Sequence, residues 1–202
     1  MNSPRPADPA SPRSISREEM AKLPIQRYAG KLCVVTTPGD LDEARADFRG
    51  EGVAGFDTET RPAFRKGESH LPALVQVATA RAAYLFQLRH AEVFPLLAEL
   101  LSDARIVKAG VSLKDDLRAL KRVFPFAEKN MLDLGGVARS RGFEQTGVRN
   151  LAGILLGIRI PKGAKTSNWA APHLTAAQMT YAATDAWACR ELYLKFRSLG
   201  LL

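Results

Sequence analysis

Two β-rich stretches, residues 71–78 and 82–88, lie so close together that only Thr79, Ala80 and Arg81 are left to join them. A connection that short closes an antiparallel hairpin; a parallel crossover needs a dozen residues or more. Upstream, residues 32–36 and the apolar run 53–56, which ends in the polar 57–60, read as two more strands. Downstream the pattern alternates: helix 92–101, strand 105–109, helix 113–123, strand 131–134. A chain that starts with a hairpin and continues through crossovers builds a mixed sheet of five or six strands flanked by helices, α/β in class. The all-parallel sheet of a dinucleotide-binding fold is excluded by the hairpin, and no glycine-rich phosphate loop is present.

Helix starts are marked by capping spacings. Ser16 precedes Glu19 by three residues, Asp40 precedes Glu43, and Thr175 precedes Gln178, the last opening a long terminal helix that runs to about residue 198. Leu174 and Met179 fit a hydrophobic staple around Thr175. Residues 147–156 form a further amphipathic segment. With 202 residues, 46% of them apolar, the chain suits one domain, 14–202, behind a flexible Pro-, Ser- and Arg-bearing tail, 1–13. The tail has no apolar run behind it, so neither a secretory leader nor a membrane span is expected. Cys33 and Cys189 stand far apart, in no zinc or redox spacing, and suit a reducing cytoplasm. The net charge of +8 attracts phosphate backbones, although solubility alone accounts for such a balance equally well.

The chemistry lies in the carboxylates. Asp57 and Glu59 end an apolar strand, and the period of two puts both on one face. Paired carboxylates at a buried strand end are costly unless they share a hard cation such as Mg²⁺ or Mn²⁺, yet Asp-x-Glu is also common at solvated strand ends. A second pair follows the strand that ends near Val111. If Ser112 is an N-cap, Asp115 completes its capping box, which leaves Asp116, beside the buried stripe Leu113, Leu117 and Leu120, as the candidate ligand. In the terminal helix, Tyr181 and Asp185 are four apart and share a face, with Ala182, Ala183 and Ala186 small enough for a close approach to the sheet. Four acids on three elements suffice for two divalent cations that activate a water and stabilise a leaving 3′ oxygen, with Tyr181 orienting the water.

These residues resemble the DEDD exonucleases with a tyrosine in the third motif, a family that includes ribonuclease D and the exonuclease domain of the Werner syndrome protein. The match is carried by Gly55-Phe56-Asp57-Thr58-Glu59, by Lys108-Ala109-Gly110-Val111 running on to Asp116 and Leu117, and by Tyr181-Ala-Ala-Thr-Asp185-Ala186. Ser167-Asn168-Trp169, Pro172, Leu174 and Gln178 are similar to the segment leading into the third motif. Residues 60–67, from Thr60-Arg61-Pro62 to Gly67, and the early Ile15-Ser16-Arg17-Glu18-Glu19 look most like small stand-alone bacterial members.

The resemblance covers about residues 14–202. It implies a ribonuclease H-like fold and a 3′-5′ exonuclease that hydrolyses phosphodiester bonds one nucleotide at a time. Asp57, Glu59, Asp116 and Asp185 are then the ligands of two divalent cations, Mg²⁺ or Mn²⁺, and Tyr181 the water-orienting residue.

The expected partner is a single-stranded 3′ end of DNA or RNA, with no membrane and no obligate protein partner. Thr58 and the loop cations Arg61, Lys66, Lys162 and Lys165 are candidate substrate contacts, each equally explained as solvated. Trp169 reads as core before base-stacking platform, and His173 has no assigned role. Two alternatives stay open: a catalytically silent nucleic-acid-binding module of the same fold, and a phosphohydrolase acting on free nucleotides.

Overall fold

The computed structural model describes residues 13–63, 65, 67–163 and 166–202. The expected tail lies outside them except for Arg13, whose carbonyl accepts the Glu144 N–H at 3.1 Å. Six strands form one mixed sheet: β1 (Lys31–Val34), β2 (Val53–Thr60), β3 (Pro72–Ala78), β4 (Ala82–Gln87), β5 (Val107–Gly110) and β6 (Met131–Asp133), in the order β1-β4-β3-β2-β5-β6. The hairpin is β3–β4, and β3 also pairs antiparallel with β2. The pairs β1–β4, β2–β5 and β5–β6 are parallel.

The helices lie on both faces. After the short α1 (Arg17–Lys22), α2 (Pro38–Arg49), α3 (Phe94–Ser102) and α4 (Leu113–Leu120) cover one face, over a core that includes Phe56, Val77, Tyr84, Phe86 and Leu97. The other face carries α7 (Ala176–Ser198), with α5 (Leu134–Ser140) and α6 (Val148–Leu151) beside it. Trp169, fully buried, packs there with Leu74, Leu85 and Ala182 and is core, as its sequence context suggested. Among the described residues no helix is long and apolar enough to cross a membrane.

One contact sets the depth of α7. A Cβ built at Gly55 on β2 would lie 1.9 Å from the Ala186 carbonyl oxygen and 2.8 Å from the Arg190 nitrogen. The strand and helix backbones touch at that point only because residue 55 has no side chain and Ala182, Ala183 and Ala186 are small.

The capping boxes at Ser16–Glu19 and Thr175–Gln178 are both formed. Two other expectations need correction. α2 begins at Pro38, so Asp40 is not the cap that its spacing to Glu43 suggested: Thr37 is the N-cap and Asp40 its N3 partner, because proline at the first helical position supplies the right φ and lacks only an N–H that has no helical acceptor. At α4, Ser112 has φ +61° and makes no side-chain cap, so no capping box forms with Asp115. Its N–H donates instead to the Asp133 carboxylate at 3.0 Å, and that oxygen also accepts from Gly135 and Gly136 at the start of α5. Asp133 therefore ties the turn into α4 to the neighbouring strand. Asp115 points to solvent and pairs with Arg118.

Lys108 on β5 is 0% exposed, its ammonium donating to the Asp103 carbonyl at 2.6 Å. Burial pulls its pKa down to about 8, against an opposing pull from Asp103. A lysine lowered in the folded state opposes folding in full below pH ~8, and the penalty fades as pH rises towards the ordinary value of 10.5. Wild-type stability in urea is therefore expected to rise between pH 8 and 10.5 relative to Lys108→Met. Parallel pH profiles for the two proteins would show that the buried ammonium is not the source.

Candidate active site

Because β2 alternates, Phe56 and Thr58 face away from α7 while Gly55, Asp57 and Glu59 share its side of the sheet. α7 presents Asp185 to the same place, one turn beyond Tyr181. Asp57, Glu59 and Asp185 each offer a carboxylate oxygen, and the three oxygens lie within 4.8 Å of one another. Asp116, half-buried in the first turn of α4, stands outside this group but near enough to act on Asp57 electrostatically.

The electrostatics are those of crowded, poorly hydrated acids. Burial, then the charge of Asp185, pushes the Asp57 pKa well above the usual carboxylate range; the Thr58 N–H, donating to Asp57 Oδ1 at 2.9 Å, partly offsets this. Asp185 is raised by burial, against a hydrogen bond from Tyr181 and the charge of Arg149. Asp116 is raised by burial too, with the Thr58 side chain opposing and Asp115 and Asp133 adding to it. Asp185 is 4% exposed, and its Oδ1 has no hydrogen-bond partner. A buried, unpartnered carboxylate oxygen in a ring of acids fits a hard divalent cation, which stabilises all the ionised forms at once.

Tyr181 sits against the Trp169 ring at 5.9 Å between centroids. The Arg149 guanidinium donates to its hydroxyl at 3.2 Å and lies 5.7 Å from its ring centre. Burial raises the Tyr181 pKa, as do Asp185 and Glu59, against Arg149. The phenol is consequently protonated at neutral pH, which suits orienting a water better than removing its proton.

Of the candidate substrate contacts, Thr58 is beside Asp57 and Asp116, Arg61 is exposed just past β2, and Lys162 is exposed on a cavity that Tyr181 also lines. Lys66 and Lys165 fall outside the described residues. His173 lines a different groove, with Arg89 and His90, that none of the four acids reaches. Sequence reading missed Arg149 and Asp133. Asp133 carried a signal, an acid ahead of Gly135 and Gly136 at a strand end; Arg149 carried none.

A sequence profile of the 3′-5′ exonuclease family matches residues 32–200. The chain belongs to the 3′-5′ exonuclease family. Among exonuclease relatives, it is 34% identical over 188 residues to the mouse bifunctional 3′-5′ exonuclease/ATP-dependent helicase WRN, covering 88% of this chain and 13% of that protein. It is 29% identical over 164 residues to ribonuclease D of Gluconacetobacter diazotrophicus, covering 79% of this chain and 41% of that one. The chain thus spans a fraction of each of these two relatives. The Nibbler EXO domain of Aedes aegypti superimposes with a TM-score of 0.75 at 20% identity, over 86% of this chain and 92% of that one. The exonuclease fold shared with such neighbours is the ribonuclease H-like mixed sheet expected from the sequence.

Proposed function

We propose that this domain is a metal-dependent nuclease that removes nucleotides from the 3′ end of a single strand, with Asp57, Glu59, Asp116 and Asp185 holding two Mg²⁺ or Mn²⁺ ions. The observation that carries the reading is the meeting of Asp57, Glu59 and Asp185 oxygens within 4.8 Å, in a member of an exonuclease family. When bound, the ions supply Lewis-acid activation of the attacking water and neutralise charge on the leaving 3′ oxygen. The chain's own groups do the rest. Tyr181, one helical turn from Asp185 and held by Arg149, orients the water. Thr58 steadies Asp57 through its N–H, and Arg61 and Lys162 offer positive charge to the strand. The Tyr181–Asp185 pair supports membership of the tyrosine subgroup, and two free thiols suit action in the cytoplasm.

The test is digestion of 5′-labelled single-stranded DNA and RNA. A ladder shortening from the 3′ end is expected with Mn²⁺ or Mg²⁺, lost in chelator and restored by adding back metal. Tyr181→Phe should lower the rate about 10²-fold with little change in KM. Cleavage that survives chelation, or that starts internally, would overturn the reading.

A further inference from the structure

Beside Tyr181, residues 160–162 line both of two cavities, of about 440 and 410 Å³, each large enough for a small ligand. Arg27 and Lys162 line the first; Arg149, Arg159 and Lys162 line the second. Neither is lined by any carboxylate among the described residues. Two other partly buried arginines are neutralised by acids, Arg45 by Asp42 and Glu99 and Arg190 by Glu51 and Glu191, while Arg13 lies over the Phe143 ring and Arg141 donates to the Leu201 carbonyl. Among the described residues none of the four cations forms a salt bridge with an acid, Arg149 acting on Asp185 only through its field, and the Nε of Arg159 is shielded from solvent without an acceptor.

The arrangement is fixed by backbone, not by chance side-chain positions. Ile25 and Arg159 form a parallel bridge, the Arg159 N–H donating to Pro24 at 2.9 Å and the Gln26 N–H to Arg159 at 3.1 Å. The Tyr28 N–H donates to Thr184 of α7 at 3.0 Å. The segment carrying Arg27 is therefore pinned both to the segment carrying Arg159 and to the helix carrying Tyr181. Apolar side chains, Ile25, Ile160, Pro161 and Ala177, share the lining with the cations. Cations set among apolar surface fit phosphates on the charges and sugars or bases on the apolar groups.

We propose that these paired cavities hold the strand upstream of the bond to be cut, its phosphates lying on Arg27, Lys162, Arg149 and Arg159. The proposal rests on the exonuclease reading only for which end of the strand enters the acids. It is tested by fluorescence anisotropy in chelator, with a labelled dinucleotide and a twelve-nucleotide single strand. Arg27→Ala and Lys162→Ala, both at exposed positions, are compared with Arg122→Ala, an exposed cation elsewhere.

The two site variants should each weaken binding of the long strand more than of the dinucleotide. Each should also flatten the slope of log affinity against log salt by about 0.7, the value for one lost phosphate contact on a single strand. Arg122→Ala should match wild type. Site variants that bind both strands like Arg122→Ala would overturn the proposal, even if cleavage is intact. Equal weakening of short and long strands would also overturn it, because the contacts would then lie at the terminal nucleotide. Wild-type protein that binds with this length and salt dependence but cleaves nothing in Mn²⁺ supports the site while removing the exonuclease reading.

Discussion

Asp57→Asn protein is expected to lose about three orders of magnitude in cleavage rate and yet to melt at a higher temperature than wild type when both are stripped of metal. The loss follows from the proposed role: if the ions supply about 4 kcal/mol of transition-state stabilisation, removing a shared ligand costs about 10³-fold. The gain follows from linkage. A carboxylate whose folded pKa is raised carries no penalty while both states are protonated. The penalty builds as pH climbs from the ordinary carboxylate range to the raised value, and is complete above it. Near neutral pH the metal-free wild type bears whatever part has accumulated, chiefly from burial and from Asp185 facing Asp57. Asparagine removes the charge at nearly constant volume, so the midpoint should rise by roughly a few degrees.

Saturating Mn²⁺ should reverse the order, because a ligand that binds only the folded state stabilises it in proportion to its affinity. Thermal melts in chelator and in Mn²⁺, with single-turnover digestion alongside, decide the matter. A variant that melts below wild type in chelator would show that Asp57 holds the fold together and does not strain it.

Gly55→Ala is expected to be as damaging as any single methyl group in the molecule. The added carbon would sit 1.9 Å from a main-chain oxygen of α7, and backbone, unlike the end of a flexible side chain, has no rotamer into which to retreat. Helix and strand must separate, at a cost of about 3 kcal/mol or more, equivalent to roughly 6–12 °C in a domain of this size. Cleavage should fall with it even below the melting point, since separation carries Asp185 away from Asp57 and Glu59. Gly52→Ala is the control: nothing lies within 4 Å of a Cβ there, and its midpoint should hardly move. If the two variants melt alike, close approach at Gly55 is not what seats the helix.

What could be read in the sequence was what is encoded locally. The three-residue link between β3 and β4 dictates their pairing wherever the hairpin sits, and the boxes at Ser16 and Thr175 close over three residues. Asp57 with Glu59, and Tyr181 with Asp185, are short-range pairs whose shared faces follow from strand and helix periods. The misreadings have a common origin too. Ser112 looks like a cap and is not one, because its conformation is set by Asp133 across the β5–β6 pair, 21 residues away. Arg149 reaches Tyr181 from 32 residues away, a distance over which no periodicity speaks. α2 differs in kind: Thr37 and Pro38 were local signals, overshadowed by the equally well-spaced Asp40 and Glu43.

The seating of α7 against β2 also imposes a timetable. During synthesis the sheet's central strands, the hairpin and three of the four acids leave the ribosome well before Asp185. Until α7 emerges and docks over Gly55, a nascent chain has Asp57 and Glu59 without the third member of their cluster. If these acids hold metal as proposed, the chain made up to that point is a poor metal binder, and competence waits on the docking of α7.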